Sequence, residues 1–295
     1  MFSFFEFFTS LLSSHHGGLV ELCGVLLYTC LAHAPPLSSP MLSVISPAKT
    51  LDFESACPPH EISVCDYLNS AEELIGVLRK KNREQLGVMM GISPPLAELN
   101  HQRYRNWSLP LTQDNARAAL FAFKGDVYTG LTLDTYRVAD LTFAQKHLRI
   151  LSGLYGLLRP LDLMLPYRLE MGTSLKTKRG KNLYEFWGER IAEGVNTALA
   201  KSGSGTLVNL ASQEYFKAIP ASKLEGRLVT PHFKEMKNGE YKIVSFFAKR
   251  ARGMMVDYII KNAINEPEPM KSFDTDGYRF NPELGDSDNW VFTRG

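Results

Sequence analysis

The chain has 295 residues, of which 44% are hydrophobic and 22% charged, with a formal charge of +2. These proportions exclude a disordered polyampholyte or a fibrous repeat, and the length suffices to bury the core of one large domain. Cys23, Cys30, Cys57 and Cys65 form no Cys-x-x-Cys pair and are too sparse for a disulfide framework, which fits a reducing cytoplasm. No feature beside Cys57 or Cys65 would lower a thiol pKa, so neither reads as a redox sensor.

Residues 1–40 differ from the rest in containing no Lys or Arg. Their apolar run at 22–32 is shorter than the roughly 20 residues a membrane span requires. Ala32-His33-Ala34 resembles a signal cleavage site, but the basic n-region is missing. Met41 is therefore expected to be the true start, with residues 1–40 an unstructured, non-native leader and residues 41–295 a single mixed α/β domain.

From Met41, Leu42-Ser43-Val44-Ile45-Ser46 reads as a buried strand, and Lys49 follows just past its end, where sheet proteins place ligand contacts. Leu68, Ala71, Leu74, Ile75 and Leu78 lie on one helical face. Shorter helical pieces near 83–90 and 94–107 read as structural, and 113–122 as a further helix. The central stretch, residues 122–172, alternates glycines, aromatics and single charges around an expected helix at 134–152. Beyond it, Asn182 and Glu185 form a capping-box-like helix start, residues 206–210 a strand, and Ser212 the cap of a short helix. Expected strands at 227–233 and 241–247 flank Asn238-Gly239, a strong hairpin turn. The last helix is expected at 248–262.

Three constellations could carry chemistry. Lys249, Arg250 and Arg252 fall in the first turn of that last helix, against its dipole, where an anion would resolve the conflict. Gly153 and Gly156, set among Leu148, Leu151, Leu154 and Leu157 and followed by Arg159, resemble the turn of a helix-hairpin-helix, whose backbone N–H groups hold a nucleic-acid phosphate. Lys49, Lys124, Asp126, Tyr128, Arg168, Glu170, Asn209, Glu214 and Tyr215 lie at strand ends or beside Gly and Pro and include acid, base and anion-clamp types. His60, His101, His147 and His232 have no ligand spacing, so no metal site or cofactor is expected.

With these residues in view, the chain from Met41 resembles the YaaA family of bacterial peroxide-stress proteins. The resemblance rests on residues 45–52 (Ile-Ser-Pro-Ala-Lys-Thr-Leu-Asp), 122–131, 148–172, 183–188, 209–217 and 246–254. It implies a cytosolic protein that limits peroxide damage and unincorporated iron, with an unusual α/β fold, a helix-hairpin-helix and a basic cleft suited to double-stranded DNA of any sequence. In that reading Lys124, Arg149, Gly153, Gly156, Arg159, Arg168, Lys249, Arg250 and Arg252 hold phosphates, with no membrane partner. The alternative is an enzyme in the same cleft acting on a nucleotide or phosphorylated small molecule, with Lys49, Asp126 or Glu170 as the acid–base group.

Overall fold

A five-residue apolar strand, β1 (Met41–Ile45), is buried along its whole length, as a strand covered on both faces must be. In the computed structural model, which describes residues 40–58 and 60–295, it is an interior strand of the sheet, between β8 (Thr206–Leu210) and β5 (Leu148–Ser152). The expectations for the leader at 1–39 lie outside the described residues.

β1 pairs in parallel with β5 (Leu148–Ser152) on one side and β8 (Thr206–Leu210) on the other. β8 continues in parallel to β9 (Arg227–Lys237), and β9 to β12 (Asn289–Arg294). Antiparallel strands β6 (Gly156–Leu158) and β11 (Arg279–Phe280) close the two edges, and β10 (Glu240–Lys242) pairs with the end of β9. Small ladders join β2 (Thr50–Leu51) to β4 (Phe123–Lys124) and β3 (Arg117–Ala118) to β7 (Leu163–Met164). The connection leaving β1 runs to one side of the sheet and that leaving β8 to the other. A crevice outside the carboxyl ends of two such strands is where open sheets bind ligands.

The helices are α1 (Leu68–Leu78), α2 (Arg83–Met90), α3 (Pro94–Asn106), α4 (Ala119–Ala122), α5 (Val138–His147), α6 (Leu183–Trp187), α7 (Arg190–Ser202), α8 (Gln213–Phe216) and α9 (Ser245–Lys261). The α6 start is capped as expected, with Asn182 Oδ1 accepting the Glu185 N–H at 2.9 Å. The turn at Asn238 and Gly239 has positive φ at both residues (55° and 80°), the mirror-image geometry that Asn-Gly favours.

Four elements differ from expectation, the first being the strand expected at 241–247: it is only β10 at Glu240–Lys242, because Ser245, Phe246 and Phe247 already belong to α9. The helix expected at 134–152 stops at His147, and Leu148 turns extended to begin β5. Pairing of Ser43, Val44 and Ile45 with residues 148–150 outweighs the helical periodicity. The helix expected at 113–122 is the short β3 followed by the single turn α4. The last helix begins at Ser245, not 248, so Lys249, Arg250 and Arg252 lie past its first turn and the dipole opposes them less than expected. Among the described residues, no helix is long and apolar enough to cross a membrane.

Candidate functional site

The strand ends gather most of the residues singled out in the sequence. Ser46 follows β1 and Ser212 follows β8. The Ser212 N–H donates to Ser46 Oγ at 2.8 Å, and the two hydroxyls lie 3.2 Å apart. Ser212 is thus spent on joining two strand ends and makes no side-chain cap to α8. Tyr128 OH donates to the Ser46 carbonyl at 3.3 Å, and burial pushes its phenol well above the ordinary range.

Lys49 Nζ lies 3.4 Å from Glu170 Oε1, which also receives Arg168 at 2.9 Å. The second carboxylate oxygen of Glu170 is buried, with no partner among the described residues. The register of β2 against β4 sets Thr50 opposite Lys124, so Lys49 and Lys124 come to the same end of the molecule. Lys124 reaches Asp52 at 3.2 Å, and Lys249 reaches Asp126 at 3.3 Å. Glu214 accepts the Gly172 N–H at 3.0 Å, and Tyr215 next to it is buried, which pushes its phenol up. Asn209 is structural: its side chain accepts the Ala211 N–H at 3.0 Å.

Asp52 accepts the Ser55 hydroxyl and the Ser55 and Glu54 N–H groups, and Lys124 adds its charge. Together these hold the carboxyl well below the usual range. A depressed carboxylate supports the folded turn at neutral pH, and that support is lost as pH falls through the folded pKa. An NMR titration of Asp52 should therefore show its midpoint below the ordinary aspartate range. A midpoint in the ordinary range would mean that this turn does not hold in solution.

The expected phosphate set does not stand together as one cleft. The Arg149 guanidinium donates to the carbonyls of Leu148 (2.7 Å) and Gln145 (3.0 Å), at the carboxyl end of α5, and burial pushes it down to about 10. Arg159 is held by Asp162 at 3.0 Å and Asp66 at 3.3 Å. Gly153 and Gly156 are buried in a β-hairpin between β5 and β6, under the Leu169 carbonyl and the Trp187 ring, so residues 148–158 form no helix-hairpin-helix. Lys124, Lys249 and Arg250 are exposed, each beside an aspartate, while Arg168 is largely enclosed with Glu170. Arg252 is half-buried and has no ion partner among the described residues.

A helical hairpin does occur, built from the two short helices near 83–90 and 94–107 whose residues read only as structural. α2 is capped by Asn82 and Gln85 in a reciprocal box and ends at Gly91 in the left-handed conformation (φ 61°), which glycine adopts without strain. The Ile92 N–H returns to the Gly87 carbonyl at 3.0 Å, and α3 starts after Ser93 with Pro94 and Pro95. Gly91 and Ser93 are exposed, and Ser93 makes no side-chain cap to α3. Lys80 and Lys81 precede α2, and Arg83, its first residue, pairs with Glu98 on α3 at 2.6 Å.

A family model described as "Peroxide stress protein YaaA" matches residues 41–284. The chain belongs to the YaaA family. It is 53% identical over 254 residues to a UPF0246 protein of Hahella chejuensis, covering 86% of this chain and 99% of that relative. UPF0246 proteins of Teredinibacter turnerae and Cellvibrio japonicus are 52% and 54% identical over the same length, with 99% and 98% of each covered. The signal in the sequence for this hairpin is the run Arg79-Lys80-Lys81-Asn82-Arg83 leading to Met90-Gly91-Ile92-Ser93. The pattern is faint because only one glycine, Gly91, marks the turn. Arg79 is not part of a free surface, since its guanidinium donates to the carbonyls of Tyr104 (2.8 Å) and Trp107 at the end of α3. Among the described residues, no three His, Cys, Asp or Glu side chains stand together as a metal site.

Proposed function

We propose that this member of a family named for peroxide stress protects DNA by binding the duplex backbone through the α2–α3 hairpin, without reading sequence. The supporting observation is the turn itself: an exposed left-handed Gly91 and an exposed Ser93, with Lys80 and Lys81 at the other end of α2. Eight helical residues span roughly 12 Å at about 1.5 Å each, so the turn and the lysines meet different phosphates. Backbone N–H groups and lysines fix register on DNA but carry no base information, and low specificity follows.

If about four phosphates are neutralised, affinity for a duplex falls about a hundredfold between roughly 50 and 200 mM salt. Replacing Lys80 and Lys81 together by Ala should weaken binding and flatten the log–log salt slope by about two. The same variant should lose peroxide protection in cells. Unchanged affinity and slope would remove the hairpin from the DNA surface; unchanged protection with weakened binding would separate DNA binding from the stress role.

A further inference from the structure

Beside β2 and β4 lies an open depression of about 460 Å³, lined by Asp52, Phe53, Ser55, Arg103, Lys124 and Pro166. Its size is within the range of small-molecule sites, and it pairs apolar walls with a few charged groups, as such sites do. Arg103 projects from α3 and is half-buried, and its one side-chain bond is to Asn100 in its own helix at 3.3 Å. No carboxylate pairs with it among the described residues. Burial and the nearby Arg168 both disfavour its charge. Two acids line the depression: Asp52 is already engaged by Ser55, the Glu54 N–H and Lys124, and the exposed Glu54 side chain makes no ion pair with Arg103. Arg168 and Glu170 follow Pro166 along the chain, with Lys49 on Glu170. The lining itself carries two cations, Arg103 and Lys124, and two carboxylates, Asp52 and Glu54; Lys124 is paired with Asp52, and Arg103 has no carboxylate within ion-pair distance among the described residues.

A cation withdrawn from water without a counter-charge is unfavourable unless an anion completes it, and a guanidinium beside a lysine suits a phosphate oxygen fork. We propose that this depression binds a small molecule with a phosphate monoester on a flat, partly apolar body, of the size of a nucleoside monophosphate. The phosphate sits on Arg103 and Lys124, and the flat body lies between Phe53 and Pro166. The site is separate from the hairpin turn and does not depend on the DNA reading.

The test is calorimetric titration of the full chain with AMP, inorganic phosphate and adenosine at low salt. AMP should bind at one site per chain, more tightly than either fragment. Arg103→Gln should weaken AMP by about tenfold, the loss of one charge-assisted hydrogen bond. Lys124→Gln, at an exposed position where folding is not at risk, should weaken it several-fold. Lys237→Gln, on the far end of β9, should change nothing. The inference is overturned if AMP does not bind at millimolar concentration, if Lys124→Gln binds as the parent does, or if Lys237→Gln loses as much as Lys124→Gln. Displacement of AMP by a blunt duplex would also overturn it, because the depression would then belong to the DNA surface. Failure of the Lys80 and Lys81 variant to alter DNA binding, with AMP binding intact, would overturn the DNA reading alone.

Discussion

Gly253→Ala should cost the protein about 3 kcal/mol or more of unfolding free energy, enough to threaten a domain whose whole stability is of order 5–15 kcal/mol. A Cβ at this position would sit 1.8 Å from the Val127 carbonyl oxygen and 3.2 Å from the Gly130 Cα, while a Cβ on Gly130 would meet the Arg250 carbonyl at 2.4 Å. Both obstacles are backbone, so no side chain can turn aside. The added methyl must instead lift α9 from the segment carrying Asp126 and Tyr128, breaking the Lys249–Asp126 contact with it. Gly76→Ala is the control: it lies in α1 with nothing within 4 Å, and should gain about 0.5–1 kcal/mol from reduced backbone freedom. Urea denaturation of both variants measures the contrast. Equal stability would mean that α9 is not seated as described.

Asp162→Ala is expected to be the second large loss. Asp162 is only 1% exposed and accepts three bonds, from Ser63 Oγ at 2.6 Å, the Arg159 N–H at 2.8 Å and Arg159 Nε at 3.0 Å. Its removal leaves a hydroxyl, an amide and part of a guanidinium without their acceptor, at a cost of about 3 kcal/mol. The same guanidinium touches Asp66, whose side chain is 73% exposed. Asp66→Ala should cost less than about 1 kcal/mol, because water and counterions screen that contact. A difference of less than twofold between the two losses would show that Asp162 is not the buried hub.

The comparison of residues with structure separates local from tertiary causes. β1, β8, the Asn238-Gly239 turn and the Asn182 cap are local features, written in short patterns, and they stand where the residues place them. β5 does not, because Leu148, Ile150 and Leu151 satisfy both a helical and an extended pattern, and the deciding pairing comes from β1, far away in the chain. At the site, Lys49, Lys124, Asp126, Arg168 and Glu170 are legible as strand-end and glycine-flanked charges, and the structure brings them to one end of the sheet. Arg103 was not legible, since an arginine on a helix of low hydrophobicity reads as a solvated face. Its burial depends on α3 being tied to the central stretch by the bond from Tyr104 OH to the Arg168 carbonyl.

The order of strands also has a consequence for biosynthesis. β1 emerges early, yet its two neighbours lie at residues 148–152 and 206–210, and the last parallel partner, β12, ends at Arg294. At about 5–20 residues per second, the five buried residues of β1 wait many seconds without a partner, and the sheet cannot close until the final strand leaves the ribosome. Such long-range pairing makes folding slow. The nascent chain is therefore a natural client for chaperones that hold unpaired apolar strands.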